Sequence, residues 1–319
     1  MHKYPIRQLA AVLLVAAMSD GCSVSQMAVN KIGDALASGN SVFETDDDIL
    51  LIGDALPFAL KLTESLLARS PRHRGLLQMA CQGFATYSYL YVQDEADRLA
   101  ERDIDSAERI RTRARRLYLR ARDYGLRGLE VKHRGVSSAL DTDPRAALDL
   151  CRKKTEVPLL YWNAAALGLA ISVSKSDASM LALLPEVEAF VDRALELDEP
   201  WQEGALHEFM VILAGAKPGK PDFDKIEKHY RRALELSQGK RASLFVAYAE
   251  SVAVARQDKA SFEAALKQAL AVDAEKYKEV RLLNEVAQRR AEWLLARTED
   301  LILTPRPEAE NQKQGESQK

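Results

Sequence analysis

Ala194-Leu195-Glu196-Leu197-Asp198, Ala233-Leu234-Glu235-Leu236-Ser237 and Ala269-Leu270-Ala271-Val272-Asp273 are three copies of one short phrase, their alanines 39 and 36 residues apart. A period in this range is the sequence mark of stacked helical hairpins. The residues three and seven before each alanine are apolar: Val191 and Val187, Tyr230 and Ile226, Leu266 and Phe262. With the alanine they form one face of a helix, and the small residue lets a neighbouring helix come close. Each copy ends at a turn signal: Asp198-Glu199-Pro200, Ser237-Gln238-Gly239 and Asp273-Ala274-Glu275. Any helical protein holds an Ala-Leu-x-Leu somewhere. Three copies with matched upstream faces argue for a repeat.

Composition agrees. Of 319 residues, 47% are apolar, enough for a sizeable core, while glycine and proline number only 15 and 11. Few runs alternate with period two, so strand is expected to be nearly absent. The fold class is all-α: a helical-hairpin solenoid or bundle with irregular repeats, which resembles the tetratricopeptide (TPR-like) pattern. A formal net charge of −2 gives no global case for nucleic acid.

The N-terminus places His2, Lys3 and Arg7 before an apolar run from Leu9 to Met18. That run is too short to span a bilayer but suits a signal-peptide core, so residues 1–21 are expected to be a leader. It ends Met18-Ser19-Asp20-Gly21-Cys22, which resembles a bacterial lipoprotein box with Ser19 and Asp20 at unusual places. On that pattern Cys22 carries the lipid, and the mature chain is tethered without spanning. Plain secretion is the alternative. Ser23, in place of an aspartate, favours the outer membrane. If the chain is exported, Cys81 and Cys151 are free to pair. The apolar setting of Cys81 favours two separate buried thiols instead.

Along the mature chain, residues 22–48 read as a lipidated linker with a short helix, 49–303 as a single TPR-like domain, and 304–319 as a disordered tail rich in Pro, Glu, Gln and Lys. Asp46-Asp47-Asp48 offers a cap for a helix from Ile49 to Arg69. The helix over 73–101 has apolar or aromatic residues nearly all round, which points to burial. It concentrates Phe84, Tyr87, Tyr89 and Tyr91 in eight positions. The rings are either plain core or the lining of a cavity, each tyrosine an apolar body with a polar tip. The helix over 104–131 is arginine-rich: ten Lys or Arg from Arg109 to Arg134 face only Asp123 and Glu130. A solvated face is the usual outcome, with anionic headgroups or an acidic partner as alternatives. Residues 132–155 read as an irregular insertion. Pro158 then opens a helix carrying Tyr161, Trp162 and Asn163, and a buried Asn163 would need a hydrogen-bond partner. Hairpins over 180–214, 222–257 and 259–300 follow.

The common catalytic patterns are missing. His207-Glu208 starts like a helical zinc motif, but Val211 stands where the second histidine belongs. Five scattered histidines offer no metal set, and there is no phosphate-cradling glycine loop and no Gly-x-Ser-x-Gly elbow. Neither an enzyme nor a cofactor is expected.

The order of Ala55-Leu56-Pro57-Phe58-Ala59-Leu60-Lys61-Leu62, Gly83-Phe84-Ala85 through Tyr91, Leu160-Tyr161-Trp162-Asn163-Ala164-Ala165, Gly204-Ala205-Leu206-His207-Glu208, Tyr230-Arg231-Arg232-Ala233-Leu234 and Val246-Ala247-Tyr248-Ala249-Glu250 resembles the T component of TRAP-associated transporters, the TatT family. The resemblance covers roughly residues 22–300. It implies a helical periplasmic lipoprotein that forms a homotrimer, with a pore beside a hydrophobic cleft. It also implies pairing with a solute-binding P component that feeds a TRAP permease, and a small ligand. The residues expected at the ligand or pore are Phe84, Tyr87, Tyr91, Tyr161, Trp162, Asn163, His207 and Glu208. A scaffold lipoprotein for envelope assembly, binding protein helices in a groove, is the rival expectation.

Overall fold

The computed structural model describes residues 26–37, 42–217 and 219–303. The expected leader, Cys22 and the tail from Thr304 lie outside these residues. All secondary structure among the described residues is helical. The described residues divide into two compact units, parted between Phe209 and Met210.

The first unit holds α1 (residues 26–37), α2 (Ile49–Arg69), α3 (Arg74–Tyr87), α4 (Ile104–Glu130), α5 (Val157–Ser172) and α6 (Leu184–Asp198); α7 (Ala205–Ala216) contains the division. Aspartates start several helices as expected from local sequence. The Asp48 carboxylate accepts from the Leu50 and Leu51 amides, and Asp103 does the same for Ser106. After Tyr87, α3 passes through a π turn, Ser88–Gln93, before resuming over Asp94–Leu99. The Tyr118 hydroxyl of α4 donates to Gln93 Oε1 at 2.6 Å, which ties the end of that turn to the neighbouring helix.

Helix α5 is apolar on every side and packs against α3, α4 and α6; Leu159, Leu160, Ala164, Ala166 and Leu167 are fully enclosed. Helix α4 is its opposite in composition, yet it is equally central. Ala107, Ala114, Tyr118, Ala121, Gly125 and Gly128 form a buried stripe at three- and four-residue spacing. The two glycines let partners approach closely. A Cβ at Gly128 would lie 2.9 Å from Leu159 Cδ2, and one at Gly125 would lie 2.6 Å from the Asn163 carboxamide.

Two expectations need correction. The arginines of α4 are a solvated face only in part: Arg109, Arg113 and Arg116 stand exposed, while others pair with acids. Arg115 pairs with Asp177 at 2.8 Å, Arg122 with Glu186 at 2.6 Å and Arg111 with Glu108 at 2.6 Å, while Arg120 pairs with Glu64. The acids come from other elements as well as from α4, so local charge balance could not show them. Residues 132–155 are also no loose insertion. They form short helices Val136–Leu140 and Pro144–Leu148, and they bury Val136, Leu140, Ala147, Leu148 and Cys151.

The second unit holds α8 (Phe223–Ser237), α9 (Ala242–Tyr248), α10 (Lys259–Leu270) and α11 (Arg281–Leu295). Helix α9 also enters a π turn, Ala249–Ala253, then resumes over Val254–Arg256. Helices α9, α10 and α11 pack on one another around Phe245, Phe262, Leu266 and Ala291. Ala233 and Ala269 of the repeated phrase are buried, as is Ala194 in the first unit. Gln238 and Gly239 take left-handed backbone at the end of α8, where the turn signal was placed. Cys81 and Cys151 are free buried thiols.

Candidate functional site

Arg113, Arg120 and Arg127 stand seven residues apart on α4, which places them nearly in line along one face. Each covers an aromatic ring: Arg113 lies 5.9 Å from the Tyr87 centroid, Arg120 4.8 Å from Phe84 and Arg127 5.0 Å from Tyr124. Beneath them Phe84 stacks on Tyr124, centroids 5.8 Å apart and planes 13° apart. Tyr87 meets Tyr91 at 5.7 Å. A guanidinium over a ring face is held by the ring quadrupole, by about 0.5–1 kcal/mol where the pair is exposed.

Glu64 of α2 fixes the middle of this row. Its carboxylate accepts from the Tyr124 hydroxyl at 2.6 Å and the Lys61 ammonium at 2.7 Å, and it pairs with Arg120. Burial pushes the Glu64 carboxyl up, but the Lys61 and Tyr124 hydrogen bonds and the Arg120 charge outweigh it. The group lies below the ordinary carboxylate value. Tyr124 moves the other way, raised by burial and by its bond to Glu64. The Tyr91 hydroxyl donates to the Ile49 carbonyl at 2.7 Å, and its ring lies over Gly53, where a Cβ would come within 2.6 Å of Cε1. The polar tip of Tyr91 is therefore spent on α2.

Tyr161 centres a second aromatic group. Its ring lies 5.2 Å from Trp162, 4.8 Å from Trp201 and 5.9 Å from Phe209. Trp162 also packs on the cluster that contains Phe84, Tyr87 and Tyr124, so it joins the two groups. Trp201 sits on a turn in which Gln202, Glu203 and Gly204 all have left-handed backbone, φ 46°, 53° and 92°. Two consecutive non-glycine residues in that region store strain of order 1 kcal/mol or more each. His207 follows the turn and contacts Glu199 Oε1 through Nε2 at 3.1 Å. Glu208 is buried beside it in sequence.

Asn163 stands apart from these rings. It is fully buried; its Nδ2 donates to the Leu159 carbonyl at 2.7 Å, and Oδ1 has no hydrogen-bond partner. The carboxamide lies flat over Gly125. The partner expected for a buried Asn163 is thus found on one side of the amide only.

The sequence profile of the TRAP transporter T-component family (TAtT) matches residues 45–302. This chain belongs to that family. An uncharacterized protein of Treponema pallidum (strain Nichols) is also similar: 26% identical over 303 residues, spanning 89% of this chain and 94% of its own. All eight residues expected at the T component's ligand or pore lie inside the matched span, and Cys22 lies before it. The family is a transport-associated component and not a known enzyme family. No helix among the described residues is long and apolar enough to cross a membrane.

Of the eight, Phe84, Tyr87 and Trp162 share one cluster in the T component, Tyr91 flanks it and Tyr161 adjoins it. Sequence reasoning missed Glu64, Arg120, Tyr124, Trp201 and Phe209. The heptad spacing of Arg113, Arg120 and Arg127 was the available signal for part of this set.

Proposed function

We propose that this T component is a periplasm-facing adaptor, held by a lipid on Cys22 to the membrane, with the outer membrane favoured. It binds the solute-binding P component of a TRAP uptake system and acts as a homotrimer. Through that partner it serves the permease. The ligand it admits is a small organic acid or hydrophobic molecule, contacted by Phe84, Tyr87, Tyr91, Tyr161, Trp162, Asn163, His207 and Glu208.

The observation that supports a ligand of this class is the row of Arg113, Arg120 and Arg127 over Tyr87, Phe84 and Tyr124. The rings offer apolar surface, and the guanidinium groups over their faces offer paired N–H donors to a carboxylate. Arg120 is engaged by Glu64 and Arg127 pairs with Asp123 at 3.7 Å, so Arg113, whose Nη2 lies 3.4 Å from the Tyr87 hydroxyl, is the group in the row with most donors to offer.

Titration of intrinsic tryptophan fluorescence with a series of aliphatic carboxylates and their uncharged amides tests this. Arg113→Gln is expected to weaken carboxylate binding by about tenfold, the 1.4 kcal/mol of one charge-assisted hydrogen bond, and to leave amide binding unchanged. Equal loss for both series, or saturation by neither, counts against the ligand class.

A further inference from the structure

His133, Cys151 and Glu156 converge at the two ends of the segment that links α4 to α5. The imidazole Nε2 and the Glu156 Oε1 are 2.6 Å apart, and the three potential donor atoms all lie within 4.8 Å of one another. Cys151 and Glu156 are buried, and the His133 side chain is only 16% exposed. The other carboxylate oxygen is already fixed, because Glu156 Oε2 accepts from the Arg152 and Lys153 amides at 2.9 and 3.0 Å. Oε1 therefore meets His133 with its orientation set.

We propose that these three side chains form a binding site for a zinc-like divalent transition-metal ion. One imidazole, one thiolate and one carboxylate suit zinc or cobalt and not magnesium or calcium, which want oxygen alone. Bond lengths of about 2.0–2.3 Å put tetrahedral ligand atoms roughly 3.3–3.8 Å apart. The His133–Glu156 contact must open by about an ångström, and the widest pair must close by about as much. Binding forms a metal–sulfur bond and releases the Cys151 proton to solvent. The imidazole proton moves to Nδ1, and water completes the fourth position. The ion would staple the 131–156 segment across its ends.

Local charge acts in both directions. Burial pushes the Cys151 thiol up to about 11, with Glu156 adding to the rise, so the metal-free thiol keeps its proton at neutral pH. Arg193 and Arg74 lie within Coulombic reach and favour the thiolate. They oppose an added dication, which the thiolate and carboxylate charges then cancel. Neither guanidinium is aimed at the donors: Arg193 Nε donates to the Cys151 carbonyl at 2.7 Å and Arg74 to the Thr155 carbonyl at 3.0 Å.

Titration of the metal-stripped full chain with cobalt(II) tests the site. A thiolate-to-cobalt charge-transfer band should appear, saturate at about one ion per chain and vanish when zinc is added. Cys151→Ser should abolish the band, and Cys81→Ser should leave it intact. His133→Gln, which keeps the thiol and a polar group facing Glu156 and whose fold is checked by circular dichroism, should weaken cobalt binding by at least tenfold, the scale on which ligand-shell changes act. No band in the wild-type chain overturns the proposal, as does a band or affinity that His133→Gln leaves unchanged.

Discussion

The Asn163 carboxamide lies flat on Gly125: a Cβ there would be 2.6 Å from both Nδ2 and Oδ1. Helices α4 and α5 cross at this point, and Asn163 is fully buried. A methyl group cannot be added without moving α5 or turning the amide away from the Leu159 carbonyl. Gly125→Ala is expected to destabilise the chain by about 1–3 kcal/mol, the usual cost of overpacking a close contact. Gly125→Ala combined with Asn163→Ala should recover part of that loss. Urea unfolding of the four chains of this double-mutant cycle measures it, and strict additivity would show that the two residues do not meet.

Gly53 plays the same part for Tyr91. Gly53→Ala would place a Cβ 2.6 Å from the ring and push the hydroxyl off the Ile49 carbonyl. Helix propensity alone favours alanine by about 1 kcal/mol. Packing is expected to win here, so thermal unfolding should show net destabilisation. A stabilised variant would mean that Tyr91 does not rest on α2.

Glu64 gives a pH dependence. Burial opposes its charge, but Lys61, Tyr124 and Arg120 hold its carboxyl below the ordinary 4.5. A depressed carboxyl adds stability that is fully present above its unfolded pKa and is lost as pH falls through the folded value. The wild-type chain should therefore lose stability below about pH 4.5, and Glu64→Gln should lose less over the same interval. The variant should also be less stable at neutral pH. Denaturant midpoints from pH 7 downward check both statements; parallel curves for the two chains would remove Glu64 from the account.

Gln238 ends α8 with φ 52°, a left-handed conformation that costs a non-glycine residue about 1 kcal/mol. Gln238→Gly should raise stability by roughly 0.5–1 kcal/mol, glycine's greater unfolded-state freedom offsetting part of the relief. Gln257, with φ 55°, should not respond in this way. Its side chain donates to the Val254 and Leu301 carbonyls and accepts from the Leu303 amide.

These positions show what could be read in advance and what could not. The Asp48 cap, the span of α4, the Pro158 start of α5 and the helices after residue 180 were legible, because capping and helical periodicity are local. The pairing of Arg122 with Glu186 and Arg115 with Asp177 joins residues 62 to 64 apart in sequence, and nothing local encodes it. The π turn at Ser88–Gln93 is tied to α4 through Tyr118 and has no signature within α3 itself. Trp201 meets Tyr161 from 40 residues away, beside a turn in which Gln202 and Glu203 take left-handed backbone that no local pattern announces. The concentration of rings that includes Phe84 and Tyr87 was legible from composition, whereas the arginines that cover these two needed the heptad spacing of α4 to be read against α3.

We propose that this T component joins a solute-binding protein to a TRAP uptake system. Sedimentation of the purified chain, without its first 21 residues, against the purified P component of the same genome tests it most directly. A defined complex is expected, built on a trimer of this chain and weakened when the ring row is altered by Phe84→Ala with Trp162→Ala. Two boundaries that never merge, at concentrations up to about 100 μM, an affinity limit near 5.5 kcal/mol, would contradict it.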